Sequence, residues 1–415
     1  MQRVPPRATP DELIAMLPVG GRVLVSGCST ESLLLAEAVE QAGDRLGATT
    51  FTGIFVPGLN TCIYLADGQA KVETFFLTPE LKAAGDNVTF LPLCYEDIRR
   101  HLLDTTIDAA VMMVSSPDGS GMCSFGPAVD FLAELWPRIP VRLAHVNPLV
   151  PHTHGHPGIP FRELTAFTES PQALLGAEDP GTDAVTEAIA ANVAQLVPDG
   201  ATLQTGLGKV PGAVLRALSG RRDLRLHSGL IGDAVLDLEE AGALAAGASV
   251  IAGVAIGSER LYTALVRPTY SFAPVCVTHD VSGIARIPAF RAINSATEVD
   301  LFGQAYAEVG PKGLMSGPGG ATDFARGARM AGGLRIVALA ATAAKGKVSR
   351  IVTPNAGAGP VSLSRMDVDF VVTEFGIADL RGKTYDQRAT ELIAIAHPAH
   401  RDALGAQWRE FSQRL

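Results

Sequence analysis

The chain has 415 residues, of which 47% are hydrophobic and 19% are charged, and its formal net charge is -9. This composition is typical of a globular protein with ample material for a core, and the length predicts two or three domains. The negative charge is spread along the sequence, which argues against binding to nucleic acid. The five cysteines are scattered and contain no CxxC pair, which argues against a disulfide framework and against a zinc finger.

The N-terminal stretch, MQRVPPRATPDEL, has no apolar core of the kind found in a secretory signal peptide. The most apolar run, GALAAGASVIAGVAIG, is short for a bilayer span and rich in glycine. We interpret this run as the end of a helix, a turn and a buried strand. These observations predict a soluble, cytoplasmic protein that has no membrane partner.

Several short runs rich in Val, Ile and Leu are each followed by a glycine loop and a helical pattern. Continuous apolar runs are typical of strands that are covered on both faces, and helices between them indicate a parallel sheet. The sequence therefore predicts an α/β fold with mainly parallel sheets. In chain order the runs are RVLVSG, DAAVMMVS, VRLAHVN, ATLQTG, SVIAGVAIG, LRIVALAAT and VDFVVTEFG.

Two segments of the chain echo each other. LPVGGRVLVSGCSTESLLLAEAV begins at Leu17, LVPDGATLQTGLGKVPGAVLRAL begins at Leu196, and both read as a turn, a strand, a glycine loop and a helix. Any two strand–helix units look somewhat alike, but the matching turn before the strand favours two related α/β domains. The turn-rich stretch 169–185 predicts the boundary, so we expect one domain over residues 1–180 and a second over 181–415.

The segment VPHTHGHPG places three histidines, His152, His154 and His156, at alternate positions. An extended chain would hold all three on one side, which makes them a candidate metal site. Proline and glycine interrupt the strand, however, and no carboxylate or cysteine lies near in the sequence. We therefore expect these histidines to face solvent or hydrogen-bonding partners, and we expect no metal ion.

A glycine loop follows the strand in TLQTGLGKVPG. Gly206, Leu207 and Gly208 lie between this strand and the next helix, where a ligand can approach bare backbone amides and the helix N-terminus favours negative charge. Pro211 stands where a dinucleotide fingerprint would have its third glycine, so the loop does not match that motif. A tight strand-to-helix turn without a ligand is the alternative.

A second glycine loop precedes a helix in GPGGATDFARGARMAGG. Gly317, Gly319 and Gly320 come directly before Ala321, which opens the helix. Consecutive glycines can turn backbone N–H groups toward a developing oxyanion, so this loop is a candidate oxyanion site. A flexible linker is the alternative, but a linker does not need the apolar and basic pattern that follows.

Two further segments carry candidate reactive groups. Glu374 ends the strand in VDFVVTEFG, a common place for functional carboxylates in α/β folds, and a structural ion pair with an arginine is its alternative role. TYSFAPVCVTHD carries Ser271 and ends in His279 and Asp280. If one strand ran through this stretch, His279 would lie on the same face as Ser271 but roughly twenty ångströms away, too far to act as its base.

Several of these motifs, in this order, resemble the acetyl-CoA hydrolase/transferase family, close to the 4-hydroxybutyrate and butyrate CoA-transferases. The resemblance spans nearly the whole chain. It is carried by VSSPDGSGMCSFG, VNPLVPHTHG, DGATLQTGLGKVP, AINSATEVDLFGQAYAE, GPGGATDFARGA and VDFVVTEFGIADLRGKTYDQRATELIAIAHPAHR.

The resemblance implies two α/β domains, with the acid and acyl side in the N-terminal domain and the CoA thioester side in the C-terminal domain. It implies CoA or acyl-CoA as a substrate, a small carboxylic acid as a second substrate, a homodimer and no permanently bound cofactor. In such enzymes a glutamate attacks the acyl-CoA and passes through a glutamyl-CoA thioester. The two glycine loops would then line the thioester site and donate hydrogen bonds to the oxyanion.

The catalytic glutamate that the resemblance implies is missing. In this family it lies directly before an aromatic-x-Pro-Val pattern, which here is Phe272–Val275, and Ser271 stands in its place. No glutamate occurs between Glu259 and Glu298. A serine hydroxyl cannot form a thioester with CoA; it can at most be acylated to an ester, and it needs a base to attack.

Four hypotheses remain open. The protein is a CoA-transferase that recruits another carboxylate, Glu298 or Glu374, or it is an acyl-CoA hydrolase or acyltransferase that uses Ser271 or direct attack by water. The third hypothesis is a CoA-binding or acyl-CoA-binding homologue without turnover. The fourth is that Ser271 results from an engineered replacement of a glutamate. We favour an acyl-CoA-processing enzyme with a non-standard nucleophile, because the glycine loops of the thioester side are intact.

Overall fold

A computed structural model describes residues 4–66, 68–310 and 313–415. The chain divides into two compact units. Unit 1 comprises residues 1–178 and 250–278, and unit 2 comprises residues 179–249 and 279–415. Residues 250–278, which the sequence analysis assigned to the C-terminal domain, thus group with the N-terminal part of the chain. The described residues contain no helix that is long and apolar enough to cross a membrane.

Helices and strands are numbered in chain order. The α-helices are α1 (Pro10–Ile14), α2 (Leu33–Ala42), α3 (Pro79–Ala83), α4 (Tyr95–Asp104), α5 (Leu132–Leu135), α6 (Ala184–Ala194), α7 (Lys209–Ala217), α8 (Ala234–Glu240), α9 (Glu259–Ala264), α10 (Val275–Thr278), α11 (Val281–Ile284), α12 (Ala321–Met330), α13 (Tyr385–Ala394) and α14 (Pro398–Ser412). Short 3-10 helices cover Cys28–Thr30, Gly43–Leu46, Gly85–Asn87, Trp136–Arg138 and Phe161–Glu163.

The strands are β1 (Arg22–Val25), β2 (Thr50–Gly53), β3 (Lys71–Thr74), β4 (Val88–Phe90), β5 (Ala109–Val114), β6 (Met122–Cys123), β7 (Val141–Val146), β8 (Ile159–Pro160), β9 (Ala166–Glu169), β10 (Thr202–Gln204), β11 (Arg225–Ile231), β12 (Val250–Ala255), β13 (Tyr270–Phe272), β14 (Phe290–Ser295), β15 (Glu298–Asp300), β16 (Ala305–Tyr306), β17 (Val309–Gly310), β18 (Gly313–Leu314), β19 (Leu334–Ala338), β20 (Thr342–Ala343), β21 (Val348–Ser349), β22 (Ile351–Val352), β23 (Phe370–Thr373) and β24 (Gly376–Asp379).

The main sheet of unit 1 has the strand order β4-β3-β2-β1-β5-β7-β9, and all of its pairings are parallel. Every residue of β5 is buried, as its continuous apolar sequence predicts for a strand covered on both faces. Unit 1 also contains the parallel pair β12–β13. A core formed by Leu13, Leu35, Val39, Phe51 and Tyr64, among others, packs on one face of the main sheet.

The main sheet within unit 2 has the order β11-β10-β14-β19-β23-β24. Its pairings are parallel except for the hairpin that joins β23 and β24. Apolar clusters around Val337, Val371 and Leu392 and around Phe290 and Phe324 stabilise it. All seven apolar runs of the sequence analysis form strands, which confirms the predicted α/β class with mainly parallel sheets.

The two echoing sequence segments occupy corresponding places in the two sheets. β1 lies between β2 and β5, so the strand order reverses at β1; β10 lies between β11 and β14, so it reverses at β10. In open parallel sheets, ligands bind beyond the carboxyl ends of the strands at such a reversal. The loops that follow β1 and β10 are therefore the places where each unit is expected to bind a ligand.

Candidate active site

The loop after β10 presents open backbone. Gly208 is the N-cap of α7, with a φ of +114°, and no side chain caps this helix. A Cβ built on Gly206 or Gly208 meets nothing within 4 Å. The side chain of Leu207 is 40% exposed. The first N–H groups of α7 lack partners inside the helix and the loop is unobstructed, so an anion or a carbonyl oxygen can approach them.

A pocket of about 600 Å³ lies within unit 2 at the carboxyl ends of β14 and β19. Ser295, the last residue of β14, and Ala338, the last residue of β19, both line the pocket. Two basic residues, Lys209 and Arg350, also line it. Lys209 is the first residue of α7, and its ammonium group lies 3.7 Å from the exposed carboxylate of Asp183. This pocket combines the position expected for a ligand site with positive charge at a helix N-terminus.

The buried side chain of Gln204 ends β10 directly before the glycine loop. Its Nε2 donates to Oδ1 of Asn294 over 3.4 Å, while its Oε1 is buried without a hydrogen-bond partner. A buried amide oxygen without a partner is costly, so a ligand donor is a natural complement for it. Gln204 was not among the site residues predicted from the sequence, although a polar residue at the end of an apolar strand indicates a functional position.

The second glycine loop packs against a buried imidazole. Gly320 is the N-cap of α12, and Gly319 has a φ of +63°. A Cβ on Gly320 would come 2.5 Å from Nε2 of His279, and one on Gly229 would come 2.6 Å from the same ring. Burial, with a contribution from His227, lowers the pKa of His279 to about 3, so the imidazole is neutral at pH 7.

The two glutamates proposed as replacement nucleophiles both lie in unit 2, and both accept backbone hydrogen bonds. Oε2 of Glu298, in β15, accepts from the N–H of Ala358 over 2.8 Å. Oε2 of Glu374, in the tight turn between β23 and β24, accepts from the N–H of Ala341 over 2.8 Å. Among the described residues Glu374 forms no ion pair with an arginine. Its carboxylate is held instead by the backbone N–H of Ala341.

The stretch that carries Ser271 is not one strand. β13 ends at Phe272, and Pro274, which has no N–H, precedes α10. Asp280 caps α11 by accepting from the N–H groups of Ser282 and Gly283. Ser271 belongs to unit 1, whereas His279 and Asp280 belong to unit 2.

The side chain of Ser271 is half-buried, and Ser271 pairs with Ile251 of β12. Its hydroxyl has no hydrogen-bond partner among the described residues. On the other side of β13 from β12, Gly155 forms a parallel β-bridge with Phe272. Phe272 donates its N–H to the carbonyl of His154 over 2.7 Å and accepts from the N–H of His156 over 2.8 Å. The histidine segment therefore extends the β12–β13 pair as a third strand-like element.

The three histidines each contact the backbone. Nε2 of His152 bonds to the carbonyl of Ser116 over 2.9 Å, and Nε2 of His154 bonds to that of Val266 over 2.9 Å. Nδ1 of His156 accepts from the N–H of Gly158 over 3.0 Å. Within the part of the chain that the structure describes, no group of three His, Cys, Asp or Glu side chains could hold a metal ion.

Comparison with known proteins supplies the family. Residues 257–408 match the acetyl-CoA hydrolase/transferase C-terminal domain. The 4-hydroxybutyrate coenzyme A transferase of Clostridium kluyveri is 38% identical over 319 residues, which cover 74% of this chain and 73% of that protein. The chain belongs to the acetyl-CoA hydrolase/transferase family.

Solved structures of similar proteins agree with this family assignment. RipA from Yersinia pestis has a TM-score of 0.90 with 26% identity, over 98% of this chain and 97% of RipA. The 4-hydroxybutyrate CoA-transferase from Porphyromonas gingivalis has a TM-score of 0.79 with 30% identity, over 99% of this chain and 98% of that one. The protein is therefore an enzyme of the CoA-transferase and acetyl-CoA hydrolase family, whose named transferases use CoA thioesters as substrates.

Proposed function

We propose that this family member processes an acyl-CoA thioester that unit 2 binds beside the Gly206–Gly208 loop, with a nucleophile other than the family's glutamate. The observation that carries the proposal is the pocket of about 600 Å³ that Lys209 and Arg350 line at the carboxyl ends of the strands. CoA bears phosphates, which basic side chains and helix N-termini bind well. The open glycines leave room for the thioester to reach backbone donors.

Backbone donors carry the chemistry in this account. The N–H groups at the starts of α7 and α12 are not capped by side chains, so they are available to stabilise negative charge on the thioester oxygen. We assign oxyanion stabilisation to the Gly206–Gly208 and Gly317–Gly320 loops. Removing one donor of this kind typically costs about a hundredfold or more in rate.

The attacking group is the unusual part of the proposal. Glu298 and Glu374 each hold a backbone N–H, so recruiting either would break a local structural bond. Ser271 has no hydrogen-bonded base among the described residues. We therefore assign the attack to water or to the carboxylate of a second acid, acting directly on the thioester carbonyl. With a carboxylate, the C–S bond breaks as a mixed anhydride forms, and the released CoA thiolate then attacks the second acid's carbonyl in the anhydride, which gives the new thioester and releases the first acid as its carboxylate. With water, the C–S bond breaks, the acid is released, and CoA leaves as the thiol with a proton from the water.

Acylation of Ser271 is the alternative route. There the hydroxyl oxygen would bond to the acyl carbon, CoA would leave as the thiol with the hydroxyl proton, and water would hydrolyse the resulting ester. This route needs a base for the hydroxyl proton. His154 and His156 flank Gly155, which lies next to Ser271. Neither imidazole bonds to the Ser271 hydroxyl: Nε2 of His154 contacts the carbonyl of Val266, and Nδ1 of His156 accepts from the N–H of Gly158.

The same lack of a base favours a second candidate function, a protein that binds CoA or acyl-CoA without turnover. Calorimetry tests the shared part of both functions. We expect CoA and short acyl-CoAs to bind at micromolar to millimolar concentration; absence of binding at millimolar concentration would overturn both. Turnover of bound acyl-CoA then separates the enzyme from the binding protein.

The partners follow from the family. We propose a small carboxylic acid as the second substrate, because the relatives named above are CoA-transferases. We also propose a homodimer, the commonest state of soluble oligomers, and no permanently bound cofactor. Light scattering after size-exclusion chromatography tests the dimer: a mass of one chain would contradict it.

A further inference from the structure

The imidazole of His279 occupies a space that two glycines leave open. A Cβ built on Gly229, in β11, would come 2.6 Å from its Nε2, and one built on Gly320, the N-cap of α12, would come 2.5 Å from the same atom. Both distances are shorter than a van der Waals contact, so an alanine at either position requires the ring to move. His279 is 2% exposed, and all three residues belong to unit 2. The ring is therefore tightly packed between β11 and the start of α12.

Contacts between aromatic rings connect His279 to α12 and to the sheet of unit 2. The ring centroid of His279 lies 4.7 Å from that of Phe324, which is in the first turn of α12. Phe324 in turn stacks on Phe290 of β14, with centroids 6.4 Å apart, and Phe290 contacts His227 of β11 edge-on at 6.3 Å. Together these rings pack the first turn of α12 against β11 and β14.

The helix that follows His279 holds it in place. Asp280, the next residue, caps α11 with its side-chain carboxylate. Further along α12, a Cβ built on Gly327 would come 2.5 Å from Cγ2 of Ile284, the last residue of α11. The segment 279–284 therefore packs against α12 at two glycines, through His279 at Gly320 and through Ile284 at Gly327.

The end of α12 that His279 contacts also carries the proposed oxyanion donors. Gly319 has a φ of +63° and Gly320 a φ of -88°, and such a change of sign between neighbours turns successive N–H groups toward one point. The N–H of Phe324 donates to the carbonyl of Gly320 over 3.1 Å. The N–H groups before it have no acceptor inside the helix, so a ligand oxygen can accept from them. A shift of Gly320 would therefore move these donors.

We propose that His279 is a positioning residue for the reaction: its ring holds the N-terminus of α12, and with it the Gly317–Gly320 loop, where the loop stabilises negative charge on the thioester oxygen. The inference rests on the proposed function, because it concerns the oxyanion donors of the same enzyme. A donor contributes only at hydrogen-bond distance from the developing oxyanion, so a small movement of the loop lowers the rate. The ring acts through its size and packing rather than its charge, since burial lowers the pKa of His279 to about 3.

The first experiment measures kcat and KM of the full chain with acetyl-CoA and butyryl-CoA as probes. His279→Ala removes the ring and should lower kcat roughly tenfold to a hundredfold while KM stays within about threefold, because the donors act mainly in the transition state. His279→Gln, which puts a flexible chain in place of the rigid ring, should lose less, about threefold to tenfold. A folded His279→Ala that keeps its kcat, or that changes only KM, would contradict the inference.

The second experiment tests the contact between the ring and the loop. Gly320→Ala places a methyl group against the ring and should itself lower kcat roughly tenfold or more. His279→Ala makes room for that methyl group, so the double variant should lose at least about fivefold less than the product of the two single losses. Gly327→Ala is the matched control, because its methyl group meets Ile284 instead, and its loss should simply multiply with that of His279→Ala. Multiplicative losses in both pairs would overturn the inference.

A third measurement needs no turnover. Hydrogen exchange of the Phe324 amide reports on the first turn of α12, and His279→Ala should speed this exchange at least about tenfold. The matched amide is that of Gly212, whose N–H donates to the carbonyl of Gly208 over 3.1 Å in the first turn of α7, and its exchange should not change. Equal acceleration of both amides would indicate a general loss of stability and contradict the inference.

The outcomes separate the inference from the proposed function. Turnover by the original protein, with the same kcat and the same Phe324 exchange in His279→Ala, overturns the inference and leaves the proposed function standing. Faster exchange at α12 alone, in a protein that turns over neither probe, supports the positioning of the loop by His279 and contradicts the enzyme. If His279→Ala does not fold, His279→Gln takes its place in every comparison.

Discussion

Gly155 and Ser271 lie side by side, so closely that a Cβ built on Gly155 would come 2.7 Å from Oγ of Ser271. The same Cβ would also come 2.3 Å from the carbonyl oxygen of Phe272. The histidine segment can therefore pair with β13 only because residue 155 has no side chain. The segment that resembled a metal site in the sequence instead fixes the backbone of Phe272, the residue that follows Ser271.

This contact makes Gly155→Ala a severe change. Gly155 has a φ of +101°, where any other residue is strained, and the new methyl group would clash with backbone. We expect the free energy of unfolding to fall by about 3 kcal/mol or more in chemical denaturation. Gly58→Ala is the matched control, with a φ of +80° and nothing within 4 Å, and should lose only about 1–2 kcal/mol. Equal losses of unfolding free energy in the two variants would show that the backbone around residue 155 moves to relieve the clash, and would contradict this prediction.

Ser271 itself is tested by two substitutions. Because we assign the attack to water or an acid, Ser271→Ala should keep acyl-CoA turnover within about threefold; a loss of a hundredfold or more would favour acylation of the hydroxyl. Ser271→Glu should restore the family's nucleophile and produce a covalent glutamyl-CoA adduct, detected as an increase in protein mass. Ser271→Gln, similar in size but not nucleophilic, is the control and should show no adduct.

The two glycine loops should respond differently to alanine. At Gly320 a Cβ would meet the ring of His279 at 2.5 Å, so Gly320→Ala should lower the free energy of unfolding by about 1–3 kcal/mol. At Gly206 the Cβ has nothing within 4 Å, so Gly206→Ala should leave stability nearly unchanged and weaken acyl-CoA binding or turnover. Unchanged binding and turnover in Gly206→Ala would mean that this loop does not contact the substrate.

Asp130 gives a pH-dependent prediction for stability. Burial raises its pKa from 3.8 to about 7. Between these values the folded protein binds a proton that the unfolded chain has released, so stability falls as the pH rises. Asp130→Asn removes this cost, and asparagine tolerates the φ of +33°. We expect a gain of roughly 2–4 kcal/mol at pH 8 that nearly vanishes at pH 4, measured by urea unfolding. A gain independent of pH would contradict the raised pKa.

Lys209 gives a prediction for CoA binding. Its ammonium is at the start of α7 in the pocket wall, so Lys209→Ala should weaken CoA about tenfold and reduce the dependence of binding on salt. Lys347→Ala is the control, because Lys347 is exposed and does not line the pocket. Isothermal titration at low and high salt makes the comparison. Equal affinities of the two variants would place CoA elsewhere.

The sequence predicted those structural features that depend on residues close together in the chain, namely strands, glycine loops and turns. The apolar runs became strands, and the two predicted glycine loops precede helices, with Gly208 and Gly320 as the N-caps. The run from Gly242 to Gly257 contains the predicted turn and buried strand, β12, but not the predicted helix end, because the preceding helix ends at Glu240. These features follow from local patterns of apolar residues and glycines.

The rest depends on contacts between distant residues. Residues 250–278 group with unit 1 because of contacts such as that between Gly155 and Phe272. The unusual state of Asp130 arises from its burial near Cys28, about a hundred residues earlier in the chain. His279 was considered only as a base for Ser271, whereas folding places it against Gly229 and Gly320. None of these partners can be identified from sequence spacing alone.

The most direct test of the central claim is mass-resolved chromatography of a panel of acyl-CoAs incubated with the protein, with and without a mixture of carboxylic acids. The account predicts that acyl-CoA is consumed, as free CoA or as new CoA esters, and that no CoA adduct forms on the protein. New esters that depend on added acids would identify a transferase, and free CoA without acids would identify a hydrolase. Binding of acyl-CoA with every thioester left intact would contradict the claim that the protein is an acyl-CoA-processing enzyme.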